Sequence, residues 1–212
     1  MSKFKIFFFI SLLFVHFSLL WAEPYVDATL LEKITKKYNF FAKKRFLYLQ
    51  KSLDAVKNKS DIKKLEKVNS FFNKVKYSPD MKIYGKPDYW ATPWEFLGRD
   101  RGDCEDYVIS KYFALLYLKV DAKKLFFTYV RSSKFKEAHM VLTYFETPRS
   151  EPLVLDNNNF KVLKASQRKD LTPIYHFNGE SLYRVETGKE IKNQKSHKKF
   201  DELKLKMKRK KI

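Results

Sequence analysis

Gly102-Asp103-Cys104-Glu105-Asp106-Tyr107 contains the only cysteine in 212 residues, so the chain can form no internal disulfide. A glycine precedes this cysteine. Behind it, Val108, Ile109, Tyr112, Phe113, Leu115 and Leu116 recur as the buried face of a helix, which places the sulfur at the helix start. There the helix dipole favours thiolate over thiol, and the thiolate is the nucleophile. Downstream, Ala138-His139-Met140-Val141-Leu142 and Pro152-Leu153-Val154-Leu155-Asp156-Asn157 each read as an apolar strand carrying one polar group. If these strands pair antiparallel, the start of one lies beside the end of the other, and His139 can meet Asp156. Cys104, His139 and Asp156 are then a nucleophile, a base and the residue that orients the base.

Each of the three also has a bland reading. A free cysteine is often a small buried hydrophobe. A lone histidine is often an ordinary strand residue, and Asp156 can cap the turn made with Asn157, Asn158 and Asn159. The flanks of Cys104 argue against the first of these. Asp103, Glu105 and Asp106 surround the sulfur, and three carboxylates oppose thiolate formation, so something should neutralise them. A hard divalent cation with oxygen ligands is the simplest candidate, and calcium accepts clustered carboxylates more readily than magnesium. The helix dipole, or pairing with Arg99, Arg101 or Lys111, is the alternative. His16, His176 and His197 are poorer bases, falling in the leader, a loop and the tail.

Met1 to Ala22 reads as a secretory signal: Lys3 and Lys5 precede an apolar run from Ile6 to Leu20, and polar residues begin at Glu23. Cleavage after Ala22 and retention as an N-terminal anchor both remain open, and either places the rest of the chain outside the cytoplasm. Residues 23–188 suit one domain. Ala28 to about Lys57 has helical periodicity, Ser60 caps a second helix, and Tyr77 to Arg101 is loop-like, with Trp90 and Trp94 either exposed contacts or packed into the core. Leu125–Val130, His139–Phe145 and Leu153–Leu155 read as strands, and Gly179–Val185 as a last short one. Residues 189–212 form a Lys-rich tail with no evident core face, expected to be disordered or a frayed helix and to touch an anionic membrane weakly at most. The formal net charge of +20 can mean nucleic acid, but no zinc-finger spacing, RNP-like motif or Walker loop accompanies it, so no nucleic-acid partner is expected.

Six ordered motifs carry a family resemblance: Trp90-Ala-Thr-Pro-Trp-Glu95, Gly102 to Tyr107, Ala138 to Leu142, Val154-Leu-Asp-Asn157, Arg168-Lys-Asp-Leu171 and Pro173-Ile-Tyr-His-Phe-Asn178. Over roughly Phe71 to Leu182 the chain resembles the bacterial transglutaminase-like cysteine proteases, of the periplasmic LapG type. The resemblance implies a papain-like, transglutaminase-like α+β core in which a helix bearing Cys104 packs on an antiparallel sheet bearing His139 and Asp156. It implies calcium dependence through acidic residues that map to Asp103, Glu105 and Asp106. It further implies cleavage of the N-terminal region of a large repeat adhesin, under control of an inner-membrane cyclic di-GMP receptor. An acyltransferase using the same thioester and a non-catalytic, basic envelope-binding protein are the competing readings.

Overall fold

The computed structural model describes residues 23–134, 138–178, 182–184 and 198–208. The expected signal segment, Gly179 and the start of the Lys-rich tail lie outside them. In chain order the helices are α1 (Ala28–Lys37), α2 (Phe40–Asp54), α3 (Asp61–Phe72), α4 (Asp80–Tyr84), α5 (Pro93–Arg99), α6 (Cys104–Tyr117) and α7 (Lys198–Lys208). The strands are β1 (Lys76–Tyr77), β2 (Arg101–Gly102), β3 (Leu125–Ser132), β4 (Ala138–Tyr144), β5 (Leu153–Leu155), β6 (Leu163–Lys164), β7 (Leu171–Phe177) and β8 (Leu182–Arg184).

Strands β3 to β8 form one antiparallel sheet in the order β6-β5-β4-β3-β7-β8, while β1 and β2 make a small parallel pair beside the start of α6. This is the α+β architecture expected, with α6 packed on β4 and the N-terminal helices outside α6. The core is continuous: Phe46, Leu49 and Leu53 of α2, Leu65 and Phe72 of α3, Ile109 and Leu115 of α6, and Phe127 and Leu142 of the sheet are all buried in it.

Several elements differ from the sequence reading. The periodic stretch from Ala28 breaks at Tyr38, because Asn39 caps a new helix by accepting the Ala42 N–H at 2.9 Å. The loop-like segment from Tyr77 contains α4 and α5. Thr92 and Glu95 form a capping box at the start of α5, and Pro93 fills its first position, where no N–H is needed. Trp90 and Trp94 are not exposed contacts. Both are 5% accessible, and Trp90 packs against the stacked pair of Phe127 and Phe177, at 6.4 and 6.2 Å from their rings. Strand β7 includes Pro173 and His176, so His176 is on a strand and not in the loop its sequence context suggests. The register shifts beside Tyr129 and Val130, so Pro173 sits at a bulge, where strand proline is tolerated.

The tail also departs from expectation. Lys198–Lys208 is a helix whose Phe200 and Leu203 are buried at spacing three, with Met207 packed beside them. Phe200 meets the rings of Tyr112, Phe127 and Phe177 at 5.7, 5.0 and 6.1 Å. Three apolar residues on one helical stripe suffice to dock a segment that is otherwise mostly lysine. Phe200→Ala should lower the unfolding free energy by about 3 kcal/mol, as other buried Phe truncations do, and denaturant titration reads this directly. An effect within the error of that titration would mean that α7 is not part of the folded unit.

Candidate active site

Cys104 is the first residue of α6, with Asp103 at the N-cap position. It lines a surface cleft with Asp88, Trp90, Glu105, Tyr129, Ala138, His139 and Met140. The sulfur is hydrogen-bonded by the backbone of Met140, the neighbour of His139 on β4, so helix start and strand meet at the nucleophile. His139 Nε2 lies 2.8 Å from Asp156 Oδ1, one residue past the end of β5. Antiparallel pairing of β4 with β5 brings the two together. With Nε2 engaged by the carboxylate, Nδ1 is the ring nitrogen left to act as base.

Asp156 is held from every side. Arg168 Nη2 donates to its Oδ2 at 2.6 Å, the Asn158 N–H donates to Oδ1 at 2.9 Å, and Asn73 Nδ2 donates to its backbone carbonyl at 2.7 Å. Burial alone would push this carboxyl up. The hydrogen bonds from His139, Asn158 and Arg168 outweigh it and hold Asp156 below the ordinary carboxylate range. Arg168 is itself fixed by Asp170, at 2.9 and 2.8 Å. The sequence around Arg168 gives no sign of this role, because a buried arginine twelve residues past an aspartate has no local periodicity to reveal it.

The acidic flanks divide in two. Asp80, Asp103 and Asp106 each offer a carboxylate oxygen within 4.8 Å of the other two, and Asp80 also joins Asp88 and Glu105 in a second such group. Asp80 was not among the residues singled out from the sequence, because it lies in the segment read as loop. Glu105, expected beside Asp103 and Asp106 as a ligand, falls in the second group, with its Oε2 3.2 Å from Cys104 Sγ.

In the first group one oxygen of each carboxylate has no hydrogen-bond partner: Asp80 Oδ1, Asp103 Oδ1 and Asp106 Oδ2. The Tyr89 N–H donates to the other oxygen of Asp80, and the Ala91 N–H donates to Asp106 Oδ1 at 2.9 Å. Three buried, convergent, unpartnered carboxylate oxygens fit a hard divalent cation with oxygen ligands. Arg99, Arg101 and Lys111 form no ion pair with them among the described residues. Lys111 is buried deeper along α6, where burial lowers its pKa to about 7 and the charge of Asp156 works against that. In the second group, Asp88 is engaged by Lys199 of α7.

Electrostatics follow from this crowding. Burial, then Glu105, Asp106 and Asp80, push the Asp103 carboxyl up to about 10. Burial, then Glu105 and Asp88, raise Asp80 to about 6 against the Tyr89 N–H and Lys199. Asp106 is raised chiefly by burial. Burial, followed by the charges of Glu105 and Asp103, pushes the Cys104 thiol well up, with the Met140 backbone opposing. His176 is not in the cleft; it packs against Phe126 and Phe145, and burial lowers its pKa.

A cysteine at a helix start, facing a histidine–aspartate pair on an antiparallel sheet, is the equipment of a thiol enzyme that makes and breaks acyl bonds. The model of the bacterial transglutaminase-like cysteine proteinases matches residues 47–176, and the chain belongs to that family. Solved structures similar to it include calcium-bound LapG of Legionella pneumophila, 43% identical over 84% of this chain and 97% of that one, with a TM-score of 0.74. EGTA-treated LapG of the same organism is 42% identical over 89% of this chain and 100% of that one, with a TM-score of 0.75. No curated protein sequence matches the chain.

Gly102 marks how closely the acidic site is built. A Cβ at this position would run into the Phe96 ring and come within 2.5 Å of Asp106 Oδ2, one of the unpartnered oxygens. Gly102→Ala should therefore weaken calcium binding at least about tenfold while leaving the far sheet unchanged. Calorimetric titration of the metal-stripped protein measures this, and unchanged affinity would place the cation elsewhere.

Proposed function

We propose that this cysteine protease is an exported, calcium-dependent endopeptidase that works in the periplasm and cuts the N-terminal region of a large repeat adhesin. On this reading it controls cell attachment and biofilm, and an inner-membrane cyclic di-GMP receptor regulates it. The observation that carries the calcium claim is the trio of buried carboxylate oxygens at the start of α6. The similar LapG structures, one calcium-bound and one EGTA-treated, support it. The substrate and receptor are supported by the six ordered motifs, and export by the apolar leader Ile6–Leu20. The Lys-rich end of the chain can add a weak contact with anionic membrane.

In the reaction, Cys104 Sγ attacks the scissile carbonyl carbon and its proton passes to His139 Nδ1. His139 returns that proton to the leaving amine, and a thioester remains on Cys104. Water, deprotonated by the same nitrogen, then hydrolyses the thioester and restores the thiol. Asp156 holds the ring so that Nε2–H points at Oδ1, and it stabilises the imidazolium while the proton resides there. The Cys104 N–H, at the first position of α6 where a helix supplies no intrahelical acceptor, is one candidate oxyanion donor. Calcium held by Asp80, Asp103 and Asp106 supplies the positive charge that offsets the carboxylates flanking the thiol.

Incubation with an adhesin N-terminal fragment tests this reading. Cys104→Ala and His139→Ala should each reduce cleavage by at least about a thousandfold, and Asp156→Asn by at least about a hundredfold. A chelator should stop the reaction and calcium restore it; full activity in chelator rejects the metal role.

The pH dependence has a definite sign. Asp80 and Asp103 bind protons more tightly folded than unfolded, so the stability they contribute to the calcium-free protein is present at acid pH and falls as pH rises through about 6, where Asp80 ionises. Calcium replaces those protons and stabilises only the folded state. The melting-temperature gain on adding calcium should therefore widen from acid to neutral pH. A gain independent of pH would show that the raised carboxyls are not the ligands.

A further inference from the structure

Helix α2 is apolar on two sides. Ala42, Phe46, Leu49 and Leu53 fill the core, as a surface helix requires. Phe40, Phe41, Lys44, Leu47, Tyr48 and Lys51 recur at the same helical spacing on the opposite side, and all six are exposed. The four apolar members are 57, 68, 48 and 51% accessible, and among the described residues this face holds four of the ten exposed bulky apolar side chains. Phe40 and Phe41 touch edge to face at 6.4 Å, Lys44 lies over the Phe40 ring at 4.7 Å, and Lys74 lies over Tyr48 at 5.7 Å. Lys36 and Lys37, both exposed, end α1 just before Phe40. Asp54, bonded to Gln50 at the far end, is the only acidic residue of α2.

We propose that this face of α2 is a docking surface for a bilayer containing anionic phospholipid, with the Phe40–Phe41 corner and Leu47 and Tyr48 entering the headgroup boundary. Aromatic and aliphatic side chains alternating with lysine on one exposed stripe are what an in-plane interfacial helix presents. Neighbouring lysines gain from the negative surface potential of such a bilayer. Charge argues against a second copy of this chain as the occupant, because a two-fold contact through this face would set lysine against lysine. The apolar run Ile6–Leu20 ends a few residues before α1, so a membrane that received it would lie within reach of α2. The surface is separate from the Cys104 cleft and does not depend on the protease reading.

Co-sedimentation of the calcium-loaded full-length protein with vesicles tests the proposal. Equimolar phosphatidylglycerol and phosphatidylcholine is compared with phosphatidylcholine alone, and residues 1–22, identical in every variant, contribute equally throughout. Phe40→Ser with Phe41→Ser, and separately Leu47→Ser with Tyr48→Ser, should each weaken partitioning into the anionic vesicles by about tenfold. Lys44→Glu with Lys51→Glu should abolish the preference for phosphatidylglycerol. Lys33→Glu with Lys57→Glu, off this stripe, should change it no more than about twofold. Unaltered calcium-dependent melting verifies the fold of each variant. If a serine pair fails that check, Phe41→Trp decides: brominated lipid should quench its fluorescence by more than that of the wild-type protein, which already carries Trp21, Trp90 and Trp94, and no added quenching overturns the proposal. Wild-type binding by the α2 variants also overturns it, as does an equal loss from every charge change. So does indifference to both vesicle types by a protein that instead captures an acidic partner through this face.

Discussion

Three carboxylates buried side by side at the N-terminus of α6 are the constraint around which the catalytic end of this protein is arranged. The helix dipole favours negative charge there by about 0.3–1 kcal/mol. Two unit charges about 4 Å apart in a partly screened site repel by about 4 kcal/mol, so the dipole cannot hold Asp80, Asp103 and Asp106 ionised together. Much of the surrounding chain is shaped by that deficit. Tyr89 and Ala91 turn their N–H groups to Asp80 and Asp106, the Thr92–Glu95 capping box starts α5 directly after them, and Gly102 leaves room for Asp106 Oδ2. The motif from Trp90 to Glu95 is thus second-hand evidence of the acidic site: its residues are chosen by what they hold in place.

The nucleophile inherits this constraint, because Cys104 sits between two members of the acidic run. Its thiol is pushed up by burial, Glu105 and Asp103, all acting against the ionisation that catalysis needs. The histidine–aspartate pair is built independently, on the sheet. Antiparallel pairing of β4 with β5 sets His139 near Asp156, and Arg168 and Asn158 hold the carboxylate in place. One half of the catalytic set is therefore rigid and charge-satisfied without help, while the other depends on how the carboxylates beside it are neutralised.

What could be read from the sequence follows from this division. The cysteine, histidine and aspartate sit on short local patterns, a helix start and two apolar strands, and local periodicity exposes such residues. Asp80 could not be found that way. It reaches the site from a segment whose prolines and glycines suggest only loop, and its partners in the trio, Asp103 and Asp106, are more than twenty residues ahead. Glu105 shows how adjacency can mislead about grouping: it neighbours Asp103 and Asp106 in sequence, yet successive helical residues point in different directions, and Glu105 joins Asp80 and Asp88 in the second carboxylate group. Strand β7 was hidden by Pro173, which the bulge opposite Tyr129 and Val130 accommodates. Helix α7 was hidden by composition, since lysine dominates it and only the stripe of Phe200, Leu203 and Met207 docks.

The two acidic groups that share Asp80 are neutralised in different ways, and the difference is informative. Asp88, at the rim of the cleft, meets Lys199 of α7, a cation the chain supplies itself. The inner trio receives no such side chain among the described residues, although the protein carries a formal net charge of +20. Lysine is abundant, but an ammonium is a single positive charge on a long stem and is costly to bury. One ammonium also cannot balance three carboxylates, whereas a divalent ion carries more charge in less space and takes several oxygens at once. The excess of lysine on the surface does not forbid its entry, because ions screen those exposed charges over about 8 Å at physiological salt while the trio acts at contact distance. A strongly basic protein can therefore keep a cluster of carboxyls at its catalytic centre that gives up its protons as a small multivalent cation enters.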